Sequence, residues 1–340
     1  MSKDREENNI RITSRKPKAD NFKRRTNRLK DQKFLDKRSV ALWNMDQDAV
    51  RTPFERVSED LNIETLIDFL KDSATARSMM FTRHEDLRTE IVFDEQTIVS
   101  QYYPSQNTIA LNPDRPMAEL ACVLIKEMRR AAQFQKGHLY NPLNFAPDDA
   151  ILVNRAQQAD ALMMAIRVGW ELKLMGQKTM WEFMMASAFA DVARTFEIHA
   201  QNDFRSLNDG RASRAAYDKW FEDHRMKIHD KRVIHQMLLE DTRYVEQRRE
   251  HITALTDQML FRIADAPSNG VNYMSLKGHP APSHPDYMQV EDRSNANFLW
   301  FVKFERNFQE KECELMMEES LAMSAEIIDF GRRAMELRQR

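Results

Sequence analysis

The chain has 340 residues, 42% of them hydrophobic and 31% charged, with a formal net charge of −2. This is the balance of a soluble protein with a sizeable core, and no apolar run approaches the roughly 18 residues a membrane span needs. The opening Met1-Ser2-Lys3-Asp4-Arg5-Glu6-Glu7 has no apolar segment after it, which argues against a secretory signal.

Charge is unevenly spread. Residues 1–38 hold 14 Lys/Arg and 6 Asp/Glu, a balance of +8, so the remainder carries −10. A basic arm over about residues 1–40 is expected to be a disordered, solvated tail. Its basic stretch, residues 15–38, offers nucleic-acid binding as an alternative. Ile63, Leu66, Ile67 and Leu70 recur at helical spacing and predict a helix over 58–79. The period then changes: residues 89–93, 97–99 and 108–111 read as short strands, with Pro104 and Asn107 marking a turn.

Pro116 suits the first turn of a helix over 116–135, closed by Gly137. Pro147-Asp148-Asp149 starts a second helix running to about Met175, with Gly176 after it. Further helices are expected over 178–203, 211–226 and 230–264, then an irregular connector over 265–295 rich in Pro and Gly, and a last helix over 296–338. Cys122 and Cys313 lack metal-site spacing and are expected to be reduced, buried thiols of a cytoplasmic protein. The methionines at 163, 164, 184 and 185 and the tryptophans at 170, 181 and 220 are read as core. In the last helix Met316, Ser320, Met323, Ile327, Phe330, Ala334 and Leu337 alternate at spacings of four and three. This seam packs on the domain or forms a homo-oligomer through 316–337.

The chemistry lies in Leu124-Ile125-Lys126-Glu127-Met128-Arg129-Arg130-Ala131-Ala132-Gln133. In the H-E-x-x-H motif two histidines one helical turn apart bind zinc and the glutamate activates a metal-bound water. Here Glu127 stands at the glutamate position, while Lys126 and Arg130 stand at the histidine positions. Both are cations, and arginine keeps its proton, so neither is a zinc ligand. None of the nine histidines makes a convincing replacement set; His138, in the loop after the motif helix, comes nearest.

The run Tyr102 to Gln133, Asn154-Arg155-Ala156-Gln157-Gln158-Ala159-Asp160-Ala161, Trp170-Glu171-Leu172-Lys173 and Ala215 to Phe221 together resemble a bacterial domain family of unknown function described as metallopeptidases. The likeness covers about residues 60–235. It implies an α+β, mostly helical fold: a zincin-like core with a small β-sheet packed on the motif helix, plus additional C-terminal helices. It divides the chain into the arm 1–40, a metallopeptidase-like domain 41–235 and a helical extension 236–340. It also implies an acidic third ligand at Gln158, a further departure, with Asp160 the nearest retained carboxylate. Zinc is the family's expected cofactor, and these residues predict its loss here, with Lys126 or Arg130 paired to Glu127 or Asp160 instead.

The reading is therefore a binding or scaffolding protein without catalysis, with the 108–111 strand as the sheet edge that accepts an extended peptide. The alternatives are a hydrolase with a rebuilt or unrelated site using Glu127, and a binding protein acting through its basic arm.

Overall fold

The computed structural model describes residues 10–12, 62–80, 88–222, 225–247, 251–265 and 271–338; for 10–12, 321–322 and 324–338 it describes the backbone alone. The basic stretch 15–38 lies outside these residues. The fold is mostly helical with one small sheet, an α+β arrangement.

The first helical stretch is two helices, α1 (Ile63–Leu70) and α2 (Ala74–Met80), rather than the single one expected. Asn62 caps α1 by accepting from the Thr65 N–H at 2.8 Å. Ser73 interrupts the run: its hydroxyl accepts from the Ala76 N–H at 3.0 Å and donates to Glu171 at 2.6 Å, starting a new helix against a neighbour.

The sheet consists of β1 (Ile10–Ile12), β2 (Thr89–Phe93), β3 (Gln101–Tyr103) and β4 (Thr108–Leu111), in the order β1-β2-β4-β3. β2 runs parallel to β1 and β4, and β3 is antiparallel to β4. Two expectations are corrected here. The second predicted strand, 97–99, is a turn, because Asp94 accepts from the Gln96 N–H and the Thr97 hydroxyl and bends the chain; the strand begins at Gln101. The 108–111 strand is interior, paired on both sides, and β3 is the edge. The Pro104–Asn107 turn is as expected, with Asn107 at φ 48°, a conformation asparagine tolerates.

The sheet rests on α3 (Met117–Gln135), with Ile91, Tyr102, Ile109 and Leu111 sharing a core with Leu124, Ile125 and Met128. Tyr102 meets Phe134 edge to face at 6.1 Å. Gly137, at φ 70°, turns the chain out of α3 while the His138 N–H donates to the Gln133 carbonyl at 2.7 Å.

The centre of the molecule is α4 (Pro147–Leu174), buried on nearly every side between Ala150 and Leu172. A helix surrounded on all faces needs no amphipathic pattern, and the polar side chains buried in its middle, Asn154, Arg155, Gln157, Gln158 and Asp160, each find a hydrogen-bond partner. Around it lie α3, α5 (Thr179–Met185), α7 (Arg211–Trp220), α8 (Arg225–Leu238) and α9 (Asp257–Ile263), while α6 (Ala190–Asn202) packs mainly on α7. The methionines at 163, 164 and 184 and the three core tryptophans are buried as expected. The single helix expected over 230–264 is instead the end of α8 and, after an interruption, α9. Its middle is irregular because Tyr244 turns inward, donating to the Phe145 carbonyl at 2.7 Å, while Arg306 binds the carbonyls of Tyr244 and Gln247.

In its described residues the connector is irregular but for short helical turns at Tyr273–Ser275 and Pro285–Met288, and Tyr273 and Tyr287 enter the main core. The last helix is α10 (Arg293–Arg338), which packs on α8 and α4. There Asn295, Leu299, Val302 and Arg306 are buried. Cys122 is buried, whereas Cys313 is exposed, correcting the expectation of two buried thiols; α10 has already left the body at that point. No helix among the described residues is long and apolar enough to cross a membrane.

Candidate functional site

α3 and α4 pack side by side, so side chains a turn apart on one face the other across a buried seam. Glu127 is 2% exposed, and both of its carboxylate oxygens are engaged. One accepts from the Arg130 guanidinium, a turn along α3, and the other accepts from the backbone N–H of Tyr102 in the edge strand at 3.0 Å. Arg130 also donates across to the Gln158 side-chain carbonyl on α4 at 2.7 Å. Three of the five sequence-predicted residues, Glu127, Arg130 and Gln158, thus form one hydrogen-bonded chain from sheet edge to α4.

The Lys126 ammonium lies 5.7 Å from the centre of the Phe189 ring, beyond α5. One turn earlier, burial pushes the Cys122 thiol up to about 12, with the Lys126 charge opposing. Burial likewise pushes the Tyr102 phenol up to about 12.

Asp160 belongs to a second cluster. Its carboxylate takes two bonds from Arg129, at 2.5 and 3.3 Å, one from the Gln133 amide at 2.8 Å and one from the Tyr273 hydroxyl at 2.6 Å. Arg129 spends its other donors on the carbonyls of Ile263 and Asp265 at 2.6 and 2.8 Å. Burial opposes the charge on Arg129, but the Asp160 carboxylate outweighs it and raises the guanidinium above its ordinary range. Tyr273 is pushed well above the usual phenol range by burial and then by Asp160.

Of the expected pairings of Lys126 or Arg130 with Glu127 or Asp160, Arg130 with Glu127 is the one present, while Asp160 pairs with Arg129. Sequence reasoning quoted Arg129, Gln133 and Arg155 without giving them roles. The available signal was ionisable residues flanked by apolar ones in a buried helix: Arg155 binds Asp230 with two bonds at 2.8 and 2.6 Å, joining α4 to α8. At His138, burial followed by the charges of Lys136 and Arg262 holds the imidazole below the usual range. Among the described residues no three His, Cys, Asp or Glu side chains gather as a metal-binding group.

Fold and site together define a helical α+β domain whose sheet edge is tied through a buried carboxylate–guanidinium pair to its central helix. The chain belongs to the family described as "Putative metallopeptidase family (DUF6782)", which matches residues 41–273, more than half of its length. No curated protein matches the chain, and no solved structure does either.

Proposed function

We propose that this is a zincin-like metallopeptidase relative that has exchanged its metal for an internal ion pair and now serves as a binding or scaffolding protein. The observation that carries the proposal is the Arg130 guanidinium, which donates at once to Glu127 and to Gln158. In the family reading these are the second histidine, the general base and the third ligand. An arginine that cannot be deprotonated stands between the groups that would otherwise meet a dication. Two cations at ligand positions also repel a metal: unit charges about 4 Å apart interact by roughly 4 kcal/mol at an effective dielectric near 20. Lys126, Glu127, Arg130 and Gln158 therefore do not fit zinc, and no catalytic step is assigned to them.

The same geometry weighs against a hydrolase that uses Glu127. A general base must be reachable by substrate, and this carboxylate is buried and held by Arg130 and the Tyr102 N–H. Peptide addition to the sheet also changes footing. The 108–111 strand has no free side, and the N–H of Tyr102, at the middle of the three-residue edge strand, is taken by Glu127. Binding is therefore assigned to the scaffold without a strand-addition mode.

The test rebuilds the site. The triple variant Lys126→His, Arg130→His, Gln158→Glu restores two imidazoles and a carboxylate around Glu127. Calorimetric titration should then give one zinc per chain, and adding Glu127→Gln should leave the metal bound. A correctly folded triple variant that takes up no zinc defeats the ancestry of this site.

A further inference from the structure

The side of the sheet formed by β4 and β3 has no place for an added strand, but at the opposite edge the chain adds one of its own. We propose that the outer edge of β2 is a docking edge for an extended segment, with Ile10–Ile12 as its resident, releasable occupant. An extended peptide of the same apolar–basic–apolar pattern is the partner that this edge accepts in its place. The proposal neither uses nor requires the loss of the metal, so the zinc experiments and those below fail independently.

The main chain sets how the edge works. The Glu90 N–H donates to the Asn107 carbonyl and the Asp94 N–H to the Leu111 carbonyl, each at 2.9 Å and each toward β4. Alternate residues of a strand turn their main-chain groups to opposite neighbours, so Thr89, Ile91 and Phe93 turn theirs outward. β1 meets that edge in parallel, with Ile10 beside Thr89, Arg11 beside Glu90 and Ile12 beside Ile91. In this register the Arg11 N–H faces the Thr89 carbonyl, and the Arg11 carbonyl faces the Ile91 N–H. One residue thus carries the ladder across the edge.

The side chains of β2 choose what docks. Thr89 and Ile91 are each 0% exposed, and Ile91 belongs to the core shared with α3, so the positions beside them favour apolar residues. Glu90 is partly exposed, and the position beside it favours a cation. Ile10-Arg11-Ile12 meets the pattern at all three places.

The hold is weak enough to exchange. β1 has three residues, and each ladder bond contributes only a modest net amount in water. Residues 13–61 connect it to Asn62 at the start of α1, and holding both ends of so long a connection costs entropy. Phe93 lies beyond the register of β1, so an incoming strand of five residues gains a pairing that the described part of β1 does not make.

Amide exchange in the full chain reads this edge one residue at a time. Arg11→Pro removes the donor facing Thr89 and should speed exchange of the Ile91 N–H at least about tenfold. Glu90 and the amides of α4 should stay slow, which shows that the variant still folds. A synthetic peptide of residues 8–15 should bind the Arg11→Pro chain and slow Ile91 again. The unmodified chain should take up that peptide at least about tenfold more weakly, because its tethered strand competes at high effective concentration. The same peptide carrying Arg11→Glu should bind the Arg11→Pro chain more weakly. Equal exchange at Ile91 in the unmodified and Arg11→Pro chains overturns the proposal. So does equal uptake of the peptide by both chains, uptake by neither, or binding that leaves Ile91 fast or ignores Arg11→Glu.

Discussion

At the scale of single residues, the molecule's identity rests on where its buried charges find partners. Asp160 and Arg129 are a fully buried pair, each satisfied by additional bonds to Tyr273, Gln133 and two carbonyls. Removing one member strands the other without solvent. Asp160→Ala should therefore cost about 3–5 kcal/mol in chemical denaturation, while exchanging the pair for apolar residues of similar volume should cost much less. If Asp160→Ala is as stable as the parent, the cluster is not a structural anchor. That Glu127 and Arg130 share a helix face was legible in the sequence, because helical spacing fixes which side chains stand one turn apart. Which arginine meets which carboxylate was not. Arg129 and Arg130 are adjacent in sequence but about 100° apart around the helix, and only the packing of α4 and the return of Tyr273 from the connector decide the partners.

At the scale of elements, periodicity found what local sequence controls. The motif helix, α4 with its Asp-rich start and the Pro104–Asn107 turn all come from residues whose backbone preferences are strong. The errors fell where tertiary contacts override them. One helix was split at Ser73, and a long helix was predicted where Tyr244 instead turns into the core. The edge strand was misassigned because alternation cannot tell an inner strand from an outer one. Glu171 shows how such contacts act. It accepts from the Ser73 hydroxyl and from both the N–H and hydroxyl of Thr75, fastening the α1–α2 junction to α4. Glu171→Ala should cost about 1.5–3 kcal/mol. Amide exchange across residues 63–80 should accelerate while that in α4 stays slow. Uniform loss of protection would show that the junction is not a separate unit.

At the scale of the whole molecule, buried phenols tie stability to alkaline pH. Burial raises the pKa of Tyr102, Tyr217, Tyr244, Tyr273 and Tyr287 above the ordinary value of 10. The unfolded chain releases these protons near pH 10 and the folded chain holds them, so the folded state binds more protons above that pH. Their contribution is complete below about pH 10 and is lost as pH rises through the folded values. Tyrosinate absorbance should consequently appear late and together with loss of helical circular dichroism. A gradual titration with the fold intact would contradict the burial of these rings.

The central claim is that the Glu127–Arg130–Gln158 chain has taken the place of a metal. Its most direct test is the zinc content of the unmodified chain, measured by elemental analysis after equilibration with excess zinc and exhaustive removal of loosely held ions. The account predicts far less than one zinc per chain, unchanged by Glu127→Gln or by Gln158→Ala. One tightly held zinc per chain, lost on substituting either residue, would contradict it.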